Sequence, residues 1–172
     1  MPIGLVTNCW QIQLASGESV EELVEQASRR GYRAIELRHG ALGEFESGES
    51  RFPNASMLSR LPVRFPEVRF NVAIPFPFLA EAAKPTDPLF QAGLWAADAV
   101  KGCFPPHLRL VDLTTDLFEA NPSVAAPPET LVSLTEALES IDGLLSIENA
   151  RQPWRSFSAA FFEARRRLGR DR

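Results

Sequence analysis

Residues 31–40 read GYRAIELRHG, and residues 143–150 read GLLSIENA. In both runs apolar and polar side chains alternate. A strand places residues i and i+2 on the same face. Ile35 and Leu37 therefore share one face, with Ala34, Glu36 and Arg38 on the other. In the second run Leu145 and Ile147 oppose Ser146 and Glu148. A third run sets Phe70, Val72 and Ile74 against Asn71 and Ala73. One face is apolar throughout; the other mixes small and polar residues. A doubly wound sheet carries helices on both faces and should be apolar on both. A barrel is covered by helices only on its outside, and its interior accepts polar groups near the catalytic mouth. The alternation thus predicts an α/β fold of parallel (β/α) repeats arranged as in a TIM barrel, with an open doubly wound parallel sheet as the alternative.

Outward from these runs, apolar segments recur at residues 3–7, 34–38, 70–74, 108–113 and 144–148, each followed by a helical pattern. That order is the signature of βαβ units. Ser19 and Glu22 have the spacing of a reciprocal N-terminal cap, followed by Val20, Leu23, Val24 and Ala27 on one helical face. Gly31 supplies a left-handed stop. The second helix is short, within residues 55–61, after a Gly/Ser/Glu-rich loop at 40–53 long enough to be functional or mobile. A third, at 87–101, buries Phe90, Leu94 and Ala97. The fourth starts near Pro127, Pro128 and Glu129, buries Leu131, Leu134, Leu138 and Ile141, and ends at Gly143. A fifth, at 155–168, buries Phe157, Phe161, Ala164 and Leu168. At roughly 35 residues per unit, a closed eight-unit barrel needs about 280 residues. The 172 residues here supply five units, read as a single partial barrel domain over residues 1–172.

Composition narrows the function classes. The chain is 45% apolar and 23% charged with a net charge of −4, which fits a globular domain with a sizeable core. Mild acidity gives no general attraction for nucleic acid. The arginines at 165, 166, 167, 170 and 172 read as the solvated end of a last helix, where cations suit the dipole. No apolar run approaches the ~18 residues of a membrane span, and MPIGLVTNCW lacks the basic start of a signal peptide. Cys9 and Cys103 form no C-x-x-C motif, so the expectation is two free thiols in the cytoplasm. The first strand–helix junction, TNCWQIQLASGES, has no glycine-rich phosphate loop, which disfavours dinucleotide and P-loop chemistry. Neither a G-x-S-x-G elbow nor an H-E-x-x-H helix is present.

The working end of such a fold is where strands end and helices begin. The polar residues there are Thr7 and Asn8; Glu36, Arg38 and His39; Asp112; and Glu148, Asn149 and Arg151. A charge is costly to bury at the end of the apolar strand LLSIE unless it is paired or bound to a metal. Glu148 is therefore either a divalent-metal ligand or the partner of Arg38 or Arg151. Glu36 and Arg38 project the same way and read as an interior ion pair, or Glu36 serves as an acid/base or substrate group. His39 and His107 read as structural, and Asp112 either touches substrate or caps the turn at Thr114 and Thr115.

These segments also carry a likeness. IGLVTNCW (3–10), LVEQASRRGYRAIELRHGALGEFE (23–46) and IENARQPWRSFSAAFFEARRRLG (147–169) resemble the xylose isomerase-like TIM-barrel superfamily, in its sugar phosphate isomerase/epimerase branch. The resemblance implies an enzyme that moves a proton beside a sugar carbonyl. It implies that Glu148, ending the fifth strand, begins a cage for Mn2+, Mg2+ or Zn2+, and that Glu36 shares in catalysis. His39, Arg151, Asn149 and Asn8 would bind or orient the sugar or sugar phosphate. The other metal ligands of that family stand on strands six to eight, which these 172 residues do not supply. The expectation is therefore that this chain alone holds no metal and lacks isomerase activity. Two further readings follow: a metal hydrolase like the superfamily's abasic-site endonucleases, or a non-catalytic protein, either a truncated gene product or a half-barrel that completes its sheet with a second chain through its open edges.

Overall fold

A computed structural model describes residues 4–80, 83–113, 128–150 and 153–169. The strands are β1 (Gly4–Val6), β2 (Ala34–Arg38), β3 (Glu46–Ser47), β4 (Phe52–Pro53), β5 (Arg69–Pro75), β6 (His107–Val111) and β7 (Leu144–Glu148). The described helices are α1 (Gln11–Ala15), α2 (Val20–Arg29), α3 (Ala55–Leu58), α4 (Arg60–Arg64), α5 (Pro88–Ala99), α6 (Pro128–Glu139) and α7 (Trp154–Arg167). The main sheet has the order β1-β2-β5-β6-β7 and every pairing in it is parallel. That order follows the chain without a reversal. Right-handed crossovers then place successive helices on one face. A doubly wound sheet requires its order to reverse at a switch point, so that alternative is set aside.

The register confirms the two faces. Ile35 stands beside Phe70 and Leu37 beside Val72; Val72 meets Leu108 and Ile74 meets Leu110. These residues are buried, with Phe70 2% exposed and the other six fully enclosed. Against them pack Val20, Leu23, Val24 and Ala27 of α2, Phe90, Leu94 and Ala97 of α5, and Leu131, Leu134 and Leu138 of α6. From α7 come Phe157, Ala160 and Ala164, while Phe161 and Leu168 are only half-buried.

Local chemistry explains the helix ends. The Ser19 hydroxyl accepts from the Glu22 N–H at 3.2 Å, and the Glu22 carboxylate accepts from the Ser19 N–H at 2.9 Å. Beyond α2, Gly31 sits at φ +90°, its N–H donating to Ser28 O and the Tyr32 N–H to Ala27 O. This left-handed closing turn recurs after α6, but the left-handed residue there is Asp142, at φ 54°, rather than Gly143. Gly143 is required for space instead: a Cβ on it would lie 2.9 Å from the Leu138 carbonyl oxygen.

Several expectations shift. In the first unit residues 4–6 form a strand, Ile3 lies outside the described residues, and Thr7 opens a 3-10 turn, Thr7–Trp10, that leads into α1. The third strand is longer by a residue at each end, and the fourth stops at Val111. The expected second helix is two short ones that meet at Ser59. The 40–53 loop is built around a 3-10 turn, Gly43–Phe45, and the antiparallel ribbon β3–β4. Fully enclosed Leu42 and Phe45 anchor it. Thr114, Thr115 and Arg151 lie outside the described residues.

Candidate functional site

The polar face of the sheet carries one connected charge cluster. Strand parity puts Glu36 and Arg38 of β2, Asn71 of β5, Arg109 of β6 and Glu148 of β7 on this face. Glu36 is the hub. Its Oε1 accepts from Arg38 Nη2 at 3.0 Å, and its Oε2 accepts from Arg109 Nη1 at 2.7 Å and Asn71 Nδ2 at 3.1 Å. Arg109 Nη2 donates in turn to Glu148 Oε2, and Arg38 Nη2 lies 3.8 Å from that same oxygen. Two carboxylates and two guanidiniums from β2, β6 and β7 thus alternate, with Asn71 of β5 between them.

Burial and pairing compete in setting the ionisation of this cluster. Glu36 is 8% exposed. Burial pushes its carboxyl upward, but hydrogen bonds from Asn71, Arg109 and Arg38 and the Arg109 charge outweigh it, holding the group below the usual carboxylate range. Burial likewise works against the charge on Arg109, and its two glutamates more than restore it. Lower on the same face, His107 Nε2 sits 2.7 Å from the Ser146 hydroxyl. Burial and the neighbouring Arg69 charge lower the His107 value, favouring the neutral ring.

The alternation brings Glu36, Arg38 and Glu148 together as expected. It does not bring in the other candidates among the described residues. The His39 ring pairs with the Ser50 carbonyl at 3.2 Å, in the loop after β2. Asn8 and Asn149 stand exposed at the ends of β1 and β7 and make no hydrogen bond to the cluster. Asp112 is fully buried and accepts from the Leu79 N–H at 3.2 Å, a role that pins the segment after β5 to the end of β6. Thr7 is buried too, and its hydroxyl accepts from the Arg38 N–H at 2.9 Å, tying β1 to β2. The residue that sequence reasoning missed is Arg109. The run HLRLV places it between Leu108 and Leu110, and the same period-two reading would have assigned it to the polar face beside Glu36 and Glu148.

The donor set does not fit a divalent metal. Among the described residues no group of three His, Cys, Asp or Glu side chains could hold an ion. The two carboxylates on this face are engaged by guanidinium groups, whereas a divalent site uses several oxygen or nitrogen donors free to converge. No described helix is long and apolar enough to cross a membrane. The chain matches no protein-family model and no curated protein.

Proposed function

We propose that this chain carries five βα units of a barrel related to the sugar phosphate isomerases and epimerases, and that its polar face receives the hydroxyl groups of a sugar without turning it over. The observation that carries this reading is the alternation Arg38–Glu36–Arg109–Glu148 across the sheet. Carboxylates accept from hydroxyls, guanidiniums donate to hydroxyl or phosphate oxygens, and the two kinds stand side by side. Turnover needs more. A base that removes a proton beside a carbonyl must have a free lone pair and a value near the working pH. Glu36 is poorly suited to that role: three donors, two of them guanidiniums, already hold it, and its carboxyl lies below the usual range.

The test pairs two measurements on the full chain. In a coupled aldose–ketose isomerase assay with added Mn2+, no turnover is expected. In an NMR titration with fructose 6-phosphate, amide shifts should concentrate at Arg38, Asn71, Arg109 and Glu148. Turnover that disappears in Glu148→Ala would overturn the first half of the reading, and shifts confined to other surfaces would overturn the second. A further observation favours self-association as a second reading: among the described residues β7 has a neighbour on one side only, and Leu144 is 47% exposed there. Size-exclusion chromatography decides it, a monomer at all concentrations counting against it.

A further inference from the structure

We infer that Arg109 is a built-in cation of this face: its guanidinium takes the place between Glu36 and Glu148 that an ion held by those carboxylates would occupy, and it keeps divalent ions out. Three observations carry this. First, the two contacts use different nitrogens, Nη1 to Glu36 Oε2 at 2.7 Å and Nη2 to Glu148 Oε2, so one planar group spans both acids. Second, the register clears the way for it. Arg109 stands opposite Ala73 on β5 and Ser146 on β7, and these small neighbours on its own face leave a long side chain room to lie across the sheet. Third, the charges balance: Arg38 and Arg109 match Glu36 and Glu148, and a guanidinium does not release its proton in proteins. A divalent ion entering here would meet two fixed positive charges set against three of the four carboxylate oxygens.

The inference takes from the proposed function only the identity of the face. Its test uses metal alone, with no sugar, so either can fail without the other. The full chain is titrated with Mn2+, and free ion is read from its electron paramagnetic resonance signal. Wild type should bind more weakly than about 1 mM. Arg109→Met keeps the length of the side chain but empties the position of charge, leaving Glu36, Glu148 and the Asn71 amide oxygen as donors. It should bind Mn2+ at least about tenfold more tightly, and Arg109→Met/Glu148→Gln should return to wild-type behaviour. Wild-type binding as tight as that of Arg109→Met overturns the inference. So does a folded Arg109→Met, shown by a cooperative melt, that gains nothing. Should that variant not fold, Arg109→Gln replaces it: the neutral amide removes the charge while keeping a polar side chain on this face, and a gain over wild type is again expected. The absence of a gain there refutes the inference equally.

Discussion

Replacing Glu36 by Gln keeps the shape of the hub and removes its charge. Glu36 accepts three hydrogen bonds, two of them from guanidiniums, at a site 8% exposed. Removing one partner of a fully buried ion pair costs about 3–5 kcal/mol. Here the two arginine side chains retain 29% and 28% exposure, so water recovers part of their solvation. The expected loss is therefore about 2–3 kcal/mol, near the value of one or two hydrogen bonds to an ionised acceptor. For a domain of this size that lowers the melting temperature by roughly 4–12 °C. The pH dependence is the sharper readout. The folded-state value of Glu36 lies below its unfolded one. Its contribution is therefore fully present above the unfolded value of about 4.3 and fades as pH falls through the folded value. Urea unfolding of both proteins at pH 7, 5 and 3 should show a gap that is wide at neutral pH and narrows at the acid end. A gap that does not change with pH, or one below about 0.5 kcal/mol at pH 7, refutes the assignment of Glu36 as the charged hub.

Two further substitutions test the packing that carries the face. A Cβ on Gly93 of α5 would lie 2.9 Å from Ile74 Cδ1 and 3.1 Å from Leu108 Cδ1. Gly93→Ala should therefore lose about 1 kcal/mol in urea unfolding, because overpacking outweighs the gain in helix propensity; a stabilised variant would contradict the close helix–sheet approach. Asp142 closes α6 in a left-handed conformation that glycine adopts without cost. Asp142→Gly should gain about 0.5 kcal/mol, and a loss would show that the aspartate side chain contributes more than its backbone strain.

Period-two alternation made the two sheet faces legible, because each strand is short and one face is wholly apolar. Ile35, Leu37, Leu145 and Ile147 announce the helix side, and Glu36, Arg38, Ser146 and Glu148 announce the other. Helix starts were legible where a side chain closes them, as at Ser19 and Glu22. What stayed hidden depends on contacts between units. Nothing near Asp112 in sequence signals that it will accept from the Leu79 N–H thirty-three residues away. Nor does any local feature of β6 say that Arg109 reaches both Glu36 and Glu148; its face is readable, but its partners depend on the register of four strands. In the 40–53 loop the polar composition hides the two anchors, Leu42 and Phe45, which are fully enclosed.

Position in the sheet separates the two acids of the cluster. Glu36 stands on β2, flanked by β1 and β5, and its side chain keeps 9% exposure. Glu148 stands on β7, which among the described residues pairs with β6 alone, and its side chain keeps 34%. The same flank shows on the helix side. Leu108 and Leu110 of β6 are fully enclosed, whereas Leu145 and Ile147 of β7 are half-buried, below a cavity of about 210 Å3 that α6 and α7 leave open. A carboxylate enclosed by three donors is fixed in its pairing, since any exchange of partner would strand a buried charge. A carboxylate at the flank remains partly hydrated, and its pairing is correspondingly weaker. Glu36 therefore acts as the structural anchor and Glu148 as the exchangeable arm. If so, Glu148→Gln should cost well under half of what Glu36→Gln costs in urea unfolding at pH 7, and equal losses would mean that the flank position does not distinguish the two.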